Sequence, residues 1–66
     1  MYLSDLDKGQ KGVIRKVCDI YMKELGFIPG AKIKVISKSP FNGPIAVFIK
    51  GTRFALRLEE AACVII

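Results

Sequence analysis

"ELGFIPGAKIKV", residues 24–35, begins as the end of a helix and leaves as a strand. Upstream of it, Cys18, Tyr21, Met22 and Leu25 stand at i, i+3, i+4 and i+7, the spacing of one inward helical face. Asp19 is placed to cap the first turn, so the pattern predicts a helix over residues 19–25. Gly26 occupies the C′ position, where a left-handed residue ends a helix. Phe27 then falls at C″ and Met22 at C3, the pair that meets across a Schellman stop. Pro29 and Gly30 suit the two central positions of a type II turn. Leu25, Gly26, Phe27, Pro29 and Gly30 together form a structural motif that closes the helix and redirects the chain. Ile28 is left without a task in that motif.

Outward from this knot the chain reads as strands. Towards the N-terminus, Ser4 and Asp7 give a weak capping signal for one short turn, and "VIRKVC" alternates as a first strand. From Ala31 onward, Ile33 and Val35 face one way. Lys32, Lys34 and Lys38 face the other, with Ile36 interrupting. "SPFNGP" is a turn cluster, and "IAVFIK" is apolar on both sides, as a strand buried on two faces would be. "RFALRL" points Phe54, Leu56 and Leu58 inward and Arg53, Ala55 and Arg57 outward. "EEAA" favours one helical turn and "CVII" a last short strand. Mainly β structure, with about five short strands and one short inserted helix, suggests a small barrel made by one domain over residues 1–66.

A chain of 66 residues has little core, and small scaffolds of this size lean on disulfides, a metal or a partner. Two cysteines, Cys18 and Cys63, with no histidine, argue against a disulfide framework and against a four-ligand zinc site. A partner, or weak self-association, is the aid that remains. The start "MYLSDLDKGQKG" is not a leader, and no apolar run is long enough to cross a bilayer. These features predict a cytoplasmic protein without membrane insertion, its two cysteines reduced thiols packed as small core residues.

The same composition bears on chemistry. Without histidine there is no Ser–His or Cys–His nucleophile pair, and "GQKG" is not a phosphate-binding loop. Glu59 and Glu60 are adjacent on a helical turn and diverge, so they serve poorly as an acid–base pair. No catalytic, cofactor or metal residue is predicted. Cys18 and Cys63 lie on the first and last strands, which can be barrel neighbours, yet two thiolates alone are a poor site for ferrous iron.

What remains is binding. A formal charge of +5, from eleven Lys and Arg against six Asp and Glu, favours anionic partners. Lys32, Lys34, Lys38, Arg53 and Arg57 can merge into one basic patch. Single-strand nucleic-acid binders set aromatics beside such charges, and the strand pattern places Phe48 and Phe54 inward, which argues against nucleic acid. The absence of tryptophan argues against a groove for proline-rich peptides. Ile28 before the Pro-Gly turn and Phe41 between Pro40 and "NGP" are two apolar tips that either lid the barrel or meet a partner. On the second alternative the partner-binding residues are Ile28, Phe41, Lys38, Arg53 and Arg57.

Four pieces, "LSDLDKGQKGVIRKV", "LGFIPGAKIKV", "SPFNGPIAV" and "ALRLEEAACVII", together resemble the FeoA family of small bacterial cytoplasmic proteins, in order along nearly the whole chain. The resemblance implies an SH3-like β-barrel with an inserted helix. It also implies a non-enzymatic accessory or regulatory role in ferrous iron uptake, acting on the cytoplasmic part of the membrane GTP-binding transporter FeoB. No catalytic residue comes with it. Where the family often carries Arg-Leu before the Leu-Gly step, this chain has Tyr21 and Met22. A small basic barrel that binds nucleic acid is the alternative reading, and the missing histidines count against an iron-carrying chaperone.

Overall fold

The computed structural model describes residues 1–41 and 43–66; Asn42, within the expected "SPFNGP" turn, lies outside them. A 3-10 turn at Leu3–Asp5 is followed by strands β1 (Lys11–Val13) and β2 (Lys16–Val17) and helix α1 (Ile20–Glu24). Then come β3 (Lys32–Lys38), β4 (Ile45–Ile49), β5 (Thr52–Leu56), helix α2 (Leu58–Ala61) and β6 (Val64–Ile65). The opening turn is held by the Asp5 carboxylate, which accepts from the Tyr2 amide at 2.9 Å, so the expected Ser4–Asp7 cap is not the one used.

The predicted first strand is two. Ile14 donates to the Ala31 carbonyl at 2.9 Å, whereas Arg15 donates to Ile65 at 2.7 Å, so the chain changes partner between adjacent residues. One sheet of four strands runs β1-β3-β4-β5 and a second pairs β2 with β6, each pairing antiparallel. This corner wraps the two sheets round one core and makes six strands among the described residues where about five are expected. Leu3, Ile14, Met22, Phe27, Ile33, Val35, Ile45, Val47, Ile49 and Val64 fill that core with almost no exposure.

The helix stop follows the local chemistry closely. Asp19 caps α1 by accepting from the Tyr21 amide at 2.9 Å. At the other end, Phe27 donates to the Met22 carbonyl at 3.2 Å and Gly26 to Lys23 at 3.1 Å, the two bonds of a Schellman motif. Gly26 has φ 108, and Met22 and Phe27 are both fully buried. Ala31 then donates to Ile28 at 3.1 Å across Pro29 and Gly30, whose φ of 89 completes the type II turn. The Phe27 ring meets Phe54 edge-on with centroids 5.1 Å apart.

Two face assignments differ from expectation. β4 is buried on one side only: Ile45, Val47 and Ile49 point into the core, while Phe48 is 42% exposed on the outer face. In β3 a bulge lies between Val35 and Ser37: Val35 pairs with Val47, Ser37 with Ala46 and Lys38 with Ile45. Paired residues share a face. Lys38 is therefore on the same side of the sheet as Ile45, opposite Lys32 and Lys34. The extra residue in the bulge flips everything after it.

Candidate functional site

Helix α1 has five residues and can turn only a narrow stripe inward. Met22 takes that stripe. Tyr21 and Leu25, expected beside it, are 63% and 42% exposed, and Ile20 is 75% exposed. The next segment adds Ile28 at 38%. Tyr21 and Leu25 are neighbours at i and i+4, and Ile28 follows Leu25 through the tight helix stop, with its amide bonded to Gly26 at 2.9 Å. The result is an apolar ridge on the outside of a very small protein.

Beside this ridge begins a basic face. A β-carbon built on Gly26 would lie 3.8 Å from Lys50 Cδ, which places Lys50 at the helix stop. Lys50 also helps to line an open groove of about 770 Å³ with Lys11, Val13, Lys32, Lys34 and Phe48. The register explains the arrangement: Lys11 stands opposite Lys34, Lys34 opposite Phe48, and Phe48 opposite Arg53. One row of side chains thus crosses all four strands on the outer face. A second row sets Val13 opposite Lys32, and Val13 is 47% exposed.

The five residues predicted to meet a partner are not brought together. Ile28 lies on the apolar ridge and Arg53 in the basic row. Lys38, flipped by the bulge, donates its ammonium to the Ser4 carbonyl at 3.0 Å. Arg57 is the N-cap residue of α2, its amide bonded to Glu60 Oε1 at 2.8 Å, and it lies beyond the sheet. Phe41 is 98% exposed with φ 56, in the loop at the end of β4 opposite Lys50, so it lids nothing. Sequence reasoning missed Ile20, Tyr21 and Phe48. Every residue of "IAVFI" is apolar, so that run held no signal that Phe48 faces outward.

The cysteines are neither free nor core. Cys18 and Cys63 form a disulfide with Cα atoms 5.4 Å apart, Cys18 being exposed and Cys63 half-buried. The antiparallel register of β2 and β6 pairs Lys16 with Ile65 and Val17 with Val64; the next rung is Cys18 with Cys63, whose backbones bond at 3.1 Å. That separation is within the range a disulfide spans without backbone movement. Among the described residues no three His, Cys, Asp or Glu side chains group as a metal site. No helix is long and apolar enough to cross a membrane among them.

No curated protein matches the chain significantly. Solved structures do. FeoA of Stenotrophomonas maltophilia, solved with zinc and described as a unique prokaryotic SH3 domain protein, superposes with TM-score 0.88 at 34% identity, over 98% of this chain and 87% of that one. FeoA of Chlorobium tepidum superposes with TM-score 0.88 at 30% identity, over 98% of this chain and 67% of that one. A manganese-dependent transcriptional repressor matches at 20% identity over 39% of its length with TM-score 0.85, which shows the fold alone. This chain is thus an SH3-like, mainly β fold. The FeoA domain family matches residues 1–66, and the chain belongs to the FeoA family.

Proposed function

We propose that this protein is a non-enzymatic accessory factor of bacterial ferrous iron uptake, acting in the cytoplasm by binding the cytoplasmic part of a FeoB-type membrane GTPase transporter. Its relative from Stenotrophomonas maltophilia is described as a candidate ferrous iron transport activating factor, which supports the pathway. The observation that carries a binding role is the set of exposed apolar side chains on and just after α1, Ile20, Tyr21, Leu25 and Ile28, with Lys50 beside the helix stop at Gly26. Exposed apolar residues grouped on a small surface mark interaction sites, and a basic rim speeds encounter with an acidic partner. Phe41 supplies a second, separate apolar tip.

The test is a titration of the soluble GTP-binding region of the transporter with the wild-type protein and with the double variant Tyr21→Ser, Leu25→Ser. Both side chains are exposed, so the variant is expected to keep its melting temperature and to bind at least about tenfold more weakly. Phe41→Ser is expected to leave stability unchanged and to weaken binding less. A wild-type protein that does not bind the transporter region, or a double variant that binds as well as wild type, would overturn the reading.

A further inference from the structure

The outer face of the β1-β3-β4-β5 sheet has a charge arrangement that folding alone disfavours. Lys11 and Lys34 are directly opposed across two strands, and like charges in that position destabilise a sheet. Lys32, Lys50 and Arg53 add further positive charge to the same face. None of the six carboxylates lies on those four strands: Asp5 and Asp7 precede β1, Asp19 and Glu24 flank or belong to α1, and Glu59 and Glu60 lie in α2. Asp5, Asp19 and Glu60 are moreover engaged with backbone amides. The face is left unneutralised, with a half-exposed Phe48 at its centre.

We propose that this face is a docking surface for an extended acidic segment of a partner protein, of the form acid-x-apolar-x-acid. The row Lys11–Lys34–Phe48–Arg53 crosses three interstrand steps of about 4.8 Å, a span of about 14 Å. Alternate side chains of an extended peptide point the same way about 6.8 Å apart, so residues i, i+2 and i+4 span about 14 Å as well. A carboxylate at i sits between Lys11 and Lys34, an apolar side chain at i+2 covers Phe48, and a carboxylate at i+4 meets Arg53. Val13 and Gly12 continue the apolar floor of the groove.

A single-stranded nucleic acid fits this face less well. Base stacking uses successive aromatic platforms, and here a single phenyl ring, Phe48, stands between Lys34 and Arg53. The cations are mostly lysines, point charges without the fork that grips phosphate bidentately. For the identity of the partner this inference rests on the transporter reading above; for the surface and its ligand chemistry it does not.

The experiment uses a labelled peptide containing Glu-Ser-Leu-Ser-Glu, with Gln-Ser-Leu-Ser-Gln and Glu-Ser-Ser-Ser-Glu counterparts, an oligothymidylate and phosphatidylserine vesicles as comparisons. The acidic peptide with leucine is expected to bind most tightly, and more weakly as salt rises. Lys34→Glu is expected to weaken it at least about tenfold while raising the melting temperature, because it turns a repulsive pair with Lys11 into an attractive one. Phe48→Ser is expected to abolish the advantage of leucine over serine while leaving the salt dependence. The inference is overturned if the acidic peptide binds no better than its glutamine counterpart, if Lys34→Glu binds it undiminished, or if the oligothymidylate or the vesicles bind this face more tightly. These outcomes do not involve the transporter, so they fail independently of the proposed function.

Discussion

At the scale of single residues, Gly26 decides the most. Its φ of 108 is a conformation that side-chain-bearing residues rarely adopt, and the two Schellman bonds on either side depend on it. Gly26→Val is expected to lower stability by at least about 1 kcal/mol, read as a lower urea midpoint with an unchanged slope. An unchanged midpoint would mean that the chain can end α1 another way. The requirement was readable from residues 19–30 because each partner in the stop is within five positions of the others. Lys38 shows the contrary case. Its alternation with Lys32 and Lys34 is plain in the chain, but the bulge that turns it over to the Ser4 carbonyl exists only in the pairing with β4. In "KIKVISK" itself only Ile36, which interrupts the charged side, hints at a change of register. Tyr21 and Leu25 were misplaced for a different reason: a helical pattern spread over residues 18–25 was longer than the helix that formed, Ile20–Glu24.

At the scale of elements, the pairing of β2 with β6 carries the covalent link. The disulfide joins residues 45 positions apart, and closing a loop of that size restricts the unfolded chain by up to about 4 kcal/mol. Reduction is therefore expected to lower the urea midpoint substantially, and the double variant Cys18→Ser, Cys63→Ser to match the reduced wild type. Equal midpoints for oxidised and reduced protein would sink this account. In a reducing compartment the thiols stand opposite one another on the same rung, and the fold relies there on its core alone. That the cysteines could be neighbours was readable from their places at the end of the first and the start of the last expected strand. Their exposure was not, because it depends on which side of the rung each Cβ leaves. Phe48 repeats the lesson: an apolar side chain in a run of apolar side chains gives no sign that its face of the sheet is uncovered.

At the scale of the whole molecule, the exposed apolar side chains of α1 and the basic outer face approach one another at Lys50, beside the helix stop. The elements that build this side come from residues 11–13, 20–28 and 32–53, and the core behind it is continuous. The opposite end of the chain path has another property. The Ile66 amide donates to the Met1 carbonyl at 2.7 Å, and Tyr2 pairs with Ile65. The first and last described residues therefore sit side by side, and the polypeptide leaves the fold where it came in. A short glycine linker can join them, and new ends can be opened at Lys50–Gly51 in the β4–β5 hairpin. Such a circular permutant is expected to fold with the same far-ultraviolet spectrum, since no strand pairing is cut; loss of folding would show that the order of assembly matters. The same adjacency makes the fold a cassette: spliced into a surface loop of a host protein, it would occupy the space of a single turn along the host chain and leave the host's own ends undisturbed.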